Sequence, residues 1–97
     1  MNTKNQTAPV RKIVFKYELS GGVTELVLPA YARILSVQFQ HGRIQLWALV
    51  NHGETGTERR RFLVAGTGHP IEEPDPVHIS TIQTSDENHV WHVFEID

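Results

Sequence analysis

The sequence predicts an all-β fold, a compact antiparallel sandwich or partly closed barrel of about seven short strands. Three observations carry that prediction. Short runs alternate apolar and polar side chains with the period of two that belongs to strands. A turn signal built from Gly, Pro or Asn recurs about every ten residues. No stretch shows the apolar period of roughly 3.6 residues that marks an amphipathic helix. The length of 97 residues bounds the chain to one hydrophobic core, since a chain this short buries only roughly 60 to 65% of its unfolded surface. The expected organisation is a single β domain over 11–97, preceded by a flexible segment over 1–10. That segment, MNTKNQTAPV, is polar and lacks the apolar centre of a secretory signal.

The first strand is read from RKIVFKYEL, where Ile13, Phe15, Tyr17 and Leu19 share one face and Lys12, Lys16 and Glu18 the other. Ser20, Gly21 and Gly22 punctuate it, and Val23 to Leu28 is read as its hairpin partner. Pro29 closes that run; PAYAR over 29–33 is too short for a stable helix and is read as a crossing turn. Alternation resumes from Ile34 to Gln40, with Leu35, Val37 and Phe39 expected inward and Ser36, Gln38 and Gln40 outward, and His41-Gly42 supplies a tight hairpin into Ile44 to Val50. IQLWALV is apolar on both faces except at Gln45, the pattern of a central strand covered on both sides or by another subunit. A polar loop over 51–57 leads to RRRFLVAG, whose alternation buries Phe62 and Val64. The stretch from Gly66 to Val77 carries Pro70, Pro74 and Pro76 and must be a long loop. A last hairpin joins His78–Thr84 to His89–Glu95 across Ser85 to Asn88.

Composition removes several function classes. No run approaches the roughly 18 apolar residues of a membrane span, so no membrane partner is expected. The absence of cysteine removes disulfides, thiolate metal sites and Cys nucleophiles, and fits a reducing cytoplasm. The net charge of −2 argues against duplex nucleic acid, whose phosphates demand many Lys and Arg contacts. All nine Lys and Arg lie at or before Arg61, while seven of the eleven acids follow it, so basic and acidic strands are expected as neighbours. Six histidines without a cysteine raise a His-carboxylate metal site, but His89 and His92 are three apart and fall on opposite strand faces. No metal site or cofactor is expected. No nucleophile elbow, Walker loop, zincin helix or close carboxylate pair is present, so the chain is read as a non-enzyme.

The candidate site is the turn after the fifth strand. Gly66 and Gly68 flank Thr67 and permit backbone torsions closed to other residues, so successive N–H groups can form an anion-binding nest. Thr67 and His69 add side-chain donors, Arg59 to Arg61 guanidinium groups suited to phosphate, and Trp47, Trp91 or Tyr31 a ring on which a base can stack; Arg61 and Trp47 are the expected pair. The ligand expected for Gly66, Thr67, Gly68, His69, Arg61 and Trp47 is small, anionic and nucleotide-like.

LWALV at 46–50, GTGH at 66–69 and HVWHVFE at 89–95 resemble motifs of a family of small bacteriophage and prophage proteins, and the resemblance covers roughly 11–95. It implies a phage accessory protein in the host cytoplasm and supplies no catalytic residues. The leading expectation is an anti-defence factor that sequesters the anionic ligand. The alternatives are an interaction module acting on a host protein and a virion or assembly component. Apolar residues at both parities of the fourth and seventh strands lead to the further expectation of a homo-oligomer.

Overall fold

The computed structural model describes residues 11–86 and 88–97, so the expectation of a flexible lead-in over 1–10 lies outside the described residues. The alternating runs become seven strands: β1 Lys12–Leu19, β2 Gly22–Pro29, β3 Arg33–Gln40, β4 Arg43–Asn51, β5 Thr57–Gly66, β6 Val77–Gln83 and β7 Val90–Ile96. All pair antiparallel, in one sheet of order β1-β4-β3 and a second of order β2-β5-β7-β6. The result is a sandwich and not a partly closed barrel, because no strand is shared between the sheets. β4 is central, as its two apolar faces require, and the β3–β4 and β6–β7 hairpins form where the turn residues place them.

The expected β1–β2 hairpin does not form. β1 pairs with β4 from Lys12↔Asn51 to Leu19↔Ile44, and β2 pairs with β5. Ser20 and Gly21 instead carry the chain from one sheet to the other, with the Ser20 amide donating to the Thr24 hydroxyl (3.0 Å). A hairpin would set Tyr17 and Leu19 beside Leu26 and Leu28 on one face and leave that face in need of a cover. The crossing turns the two apolar rows toward each other, and Leu19 and Leu28 are both buried in the one core with Leu46, Phe62 and Val93.

A second, smaller cluster explains the proline-rich loop. Leu63, Ala65 and Ile96 point to the outer face of their sheet, yet they are buried beneath Ile71 and beside Phe94. Residues 67–76 therefore form a strap over that face. Prolines suit a strap because they stiffen it and bring no backbone N–H that needs a partner. The outward apolar row of β7 is thus covered within the chain.

The opposite sheet covers its own outer face with polar arms. Lys16 reaches across β4 to Gln40, Nζ to Oε1 2.8 Å, over Gln45, which is buried although it faces outward. The charge asymmetry is resolved in part as expected. Arg60 of β5 pairs with Glu95 of β7 (2.7 Å), whereas the Arg43–Glu18 and Arg59–Glu25 pairs (3.0 and 3.8 Å) join residues of the basic part.

Candidate functional site: two clefts around Trp91

Four connections meet at one end of the sandwich: residues 20–21, 41–42, the start of the strap, and the β6–β7 hairpin. A cleft of about 290 Å³ opens there between the sheets, lined among others by Glu18, Ser20, Phe39, Arg43 and Trp91. A second of about 240 Å³ is lined by Gly66, Thr67, His69, Asn88, His89 and Trp91 among others. Each falls just short of the roughly 300 Å³ at which small-molecule sites begin. Trp91 is the wall they share.

The local chain explains how these groups are held. The 66–69 turn closes by the His69 amide donating to the Gly66 carbonyl (3.1 Å), and Gly68 has φ +87°, a conformation that favours glycine. At Gly66 the need is space. A Cβ there would stand 2.9 Å from the His69 ring and 3.4 Å from Trp91 Cζ3, so the missing side chain lets His69 fold back over the strand end. His89 stacks on Trp91 with ring centroids 6.1 Å apart and planes at 5°. Because the His69 amide is spent within the turn, this rim has fewer backbone donors for an anion nest than its two glycines imply.

Thr67 heads a hydrogen-bonded chain along the outer face of the sheet. Its hydroxyl lies 2.7 Å from His92 Nε2, His92 Nδ1 lies 3.1 Å from the Thr81 hydroxyl, and that hydroxyl lies 3.0 Å from His78 Nε2. A hydroxyl carries one proton and donates to only one of the two imidazoles. If Thr81 donates to His92, then Nε2–H of neutral His92 donates to Thr67, and the Thr67 proton is left for a ligand. The His78 ring is fixed edge-on to Phe94 (5.4 Å, 67°). Sequence reasoning missed this chain, because Thr81↔His92 and His78↔Phe94 meet only once the β6–β7 register is known.

Of the residues expected at the site, Gly66, Thr67, Gly68 and His69 form one turn beside the second cleft. Arg61 lies five residues back along β5, roughly 16 Å away at strand rise, and its guanidinium donates to the Asp97 carbonyl. Trp47 lies on the outer face of the other sheet, in register with Lys16 and Ser36. Trp91 and Arg43 supply here the ring and the guanidinium expected from those two positions.

A family model described as a domain of unknown function, DUF7352, matches residues 10–97. The chain belongs to the DUF7352 family. The match takes in all seven strands and every residue that lines the two clefts of this DUF7352 domain. No curated protein and no solved structure matches the chain. Among the described residues of the domain, no group of three or more His, Cys, Asp or Glu is placed to hold a metal ion, and no helix is long and apolar enough to cross a membrane.

The tip of the β6–β7 hairpin, which borders the second cleft, is organised by Asp86. Its carboxylate accepts from the Thr84 hydroxyl, from the Asn88 amide (3.0 Å) and from Asn88 Nδ2 (3.1 Å). The Thr84 hydroxyl, then the Asn88 amide, hold Asp86 below its ordinary carboxylate value. A carboxylate depressed by folding stabilises the fold above its unfolded value, and this contribution is lost as pH falls through the lower folded value. Amide exchange at the hairpin tip is accordingly expected to speed up relative to the sheets on acidification through that range. Asp86→Asn should remove the pH dependence, and equal acid sensitivity in both proteins would contradict it.

Proposed function

We propose that this domain is a non-enzymatic binding module, a bacteriophage accessory factor of the host cytoplasm that takes up a small anionic, nucleotide-like ligand and withholds it from host defence. The observation that supports the ligand class is the position of Trp91 between two clefts, with Thr67 and His69 on one side and Arg43 on the other. A planar ring stacked on an indole gains about 1 to 3 kcal/mol, and a guanidinium matches phosphate by paired N–H donors. Arg43 gives one Nη1–H to Glu18 (3.0 Å) and His89 stacks on one face of Trp91, so the ligand would take the remaining Arg43 donors and either the other indole face or the place of His89. The phage setting is supported by the resemblance carried by 46–50, 66–69 and 89–95.

Calorimetry of the full chain against cyclic and linear nucleotides tests the reading. At least one is expected to bind, and Trp91→Ala to weaken it about 5- to 150-fold, the equivalent of that stacking energy. No heat from any of them would remove the support for a ligand site. An affinity lost on Trp47→Ala but kept on Trp91→Ala would move the site to the outer face of the β1-β4-β3 sheet.

A second reading, a module that docks on a host protein, is favoured by Tyr31. The residue is 78% exposed at φ +67°, with its backbone amide held by Glu58 (3.0 Å), and an exposed tyrosine on an anchored backbone suits a contact hot spot. A host protein retained after removal of small molecules, and lost on Tyr31→Ala, would favour it.

A further inference from the structure

The two long sides of the sandwich differ. On one, the edge strands β3 and β6 approach each other, with the Ser80 hydroxyl donating to the Val37 carbonyl (3.4 Å). On the other, β1 and β2 are edges to which no strand pairs among the described residues. Of the eight exposed large apolar side chains among those residues, five lie on these two strands: Ile13, Val14, Phe15, Val23 and Val27. Three of the five are consecutive on β1. Phe15 lies on the core-facing side of its sheet, opposite Ala48, yet is 40% exposed.

Edge strands of monomers are commonly guarded by lysine. The two lysines of β1 are drawn away from its free edge: Lys12 Nζ donates to Asn51 Oδ1 (2.6 Å) and Lys16 Nζ to Gln40 Oε1 (2.8 Å), both back across their own sheet. The free edge is left with open backbone groups and apolar neighbours on both faces.

We infer that β1 is the interface of a homodimer, pairing antiparallel with β1 of a second copy about a two-fold axis through Phe15. A two-fold axis perpendicular to the sheet keeps each copy's core-facing side on the same side of a continuous six-stranded sheet, so residues pair only with partners of equal parity. Centred on Phe15, the register opposes Phe15 to Phe15, Ile13 to Tyr17 and Val14 to Lys16, and sets Lys12 opposite Glu18 twice. Moving the centre to Val14 opposes Lys12 to Lys16; moving it to Lys16 opposes that lysine to itself. A centre at Tyr17 sets Lys16 opposite Glu18 but overlaps only residues 15–19. Opposite charges across a pair favour it and like charges oppose it, so the charge pattern of β1 selects the Phe15 register. In that pairing Lys12 exchanges Asn51 for Glu18, whose carboxylate accepts from Lys12 as well as from Arg43. The inference is independent of the ligand reading.

Light scattering of the full chain at micromolar concentration is expected to give twice the monomer mass of 11.0 kDa. Phe15→Lys, which sets two ammonium groups face to face at the axis, should give a monomer with an unchanged circular dichroism spectrum. Lys12→Glu and Glu18→Lys should each weaken the dimer, and the two together should restore it. The chain has no cysteine of its own, so Phe15→Cys should cross-link on oxidation, since directly opposed residues bring Cα atoms within about 4.5 to 5.5 Å. Val27→Cys, on the β2 edge, should not. A monomeric parent chain, a dimer that survives Phe15→Lys, or cross-linking at Val27 in place of Phe15 would each overturn the inference.

Discussion

Phe62→Ala is expected to destabilise the domain by about 3 to 5 kcal/mol, the range for removing a large buried aromatic side chain. Phe62 is fully buried, at the middle of β5, in register with Thr24 of β2 and Glu95 of β7. It therefore faces the opposite sheet from the strand that joins the two halves of its own sheet. A domain of this length has roughly 5 to 15 kcal/mol in total, so the variant should be largely unfolded near 37 °C if the parent lies at the low end. Urea denaturation reads the change as a fall in midpoint with little change in slope. A loss below about 1 kcal/mol would mean that the two sheets collapse around the vacancy and that this side chain is not central to their packing.

The second large effect is expected at Glu95. Its carboxylate receives Arg60 Nε (2.7 Å) and Nη2 (2.8 Å), while Nη1 donates to the Ala32 carbonyl (2.6 Å) in the turn that carries the chain between sheets. The side chains are only 20% and 28% exposed, and the Glu95 hydrogen bonds raise the Arg60 guanidinium above its ordinary value against the opposing pull of burial. Glu95→Ala leaves that cation without its partner. A fully buried pair broken in this way costs about 3 to 5 kcal/mol; partial solvent access here reduces the expectation to about 2 to 3 kcal/mol. For a domain of this size each kcal/mol corresponds to roughly 4 to 8 °C in melting temperature. Arg60→Met with Glu95→Leu should recover part of the loss, since it removes both charges, but not all of it, because the Ala32 carbonyl loses its donor. A double variant no more stable than Glu95→Ala would show that the geometry of the ion pair, and not the stranded charge, carries the effect.

The Arg60 clamp also illustrates what pattern alone could reveal. In RRRFLVAG, parity separates Arg60 from Arg59 and Arg61, and the structure agrees: Arg60 faces the core side while Arg59 and Arg61 face outward. That it would find Glu95, thirty-five residues away, depended on β5 lying beside β7. The same holds for the site. Gly66 to His69 could be singled out because paired glycines after an apolar run have few local explanations. The ring beside them could not, since Trp47 and Trp91 both sit in apolar strands, and only the assignment of β4 and β7 to different sheets decides which one reaches the turn.

By itself the sequence determined the elements: seven strands, two of their hairpins, the tight turn after β5 and most of the buried faces, except that a bulge between Ile34 and Ser36 turns Leu35, expected inward, to the surface and sets Ile34 against the core. These follow from side-chain parity and glycine or proline stereochemistry, which act over a few residues. The tertiary structure alone decided the partners: that β1 and β2 separate into opposing sheets, that Ile71 covers Leu63 and Ile96, and that Trp91 and Arg43 reach the rim. Such choices depend on which apolar faces can cover one another once all seven strands compete for a single core, and no local pattern records the outcome of that competition.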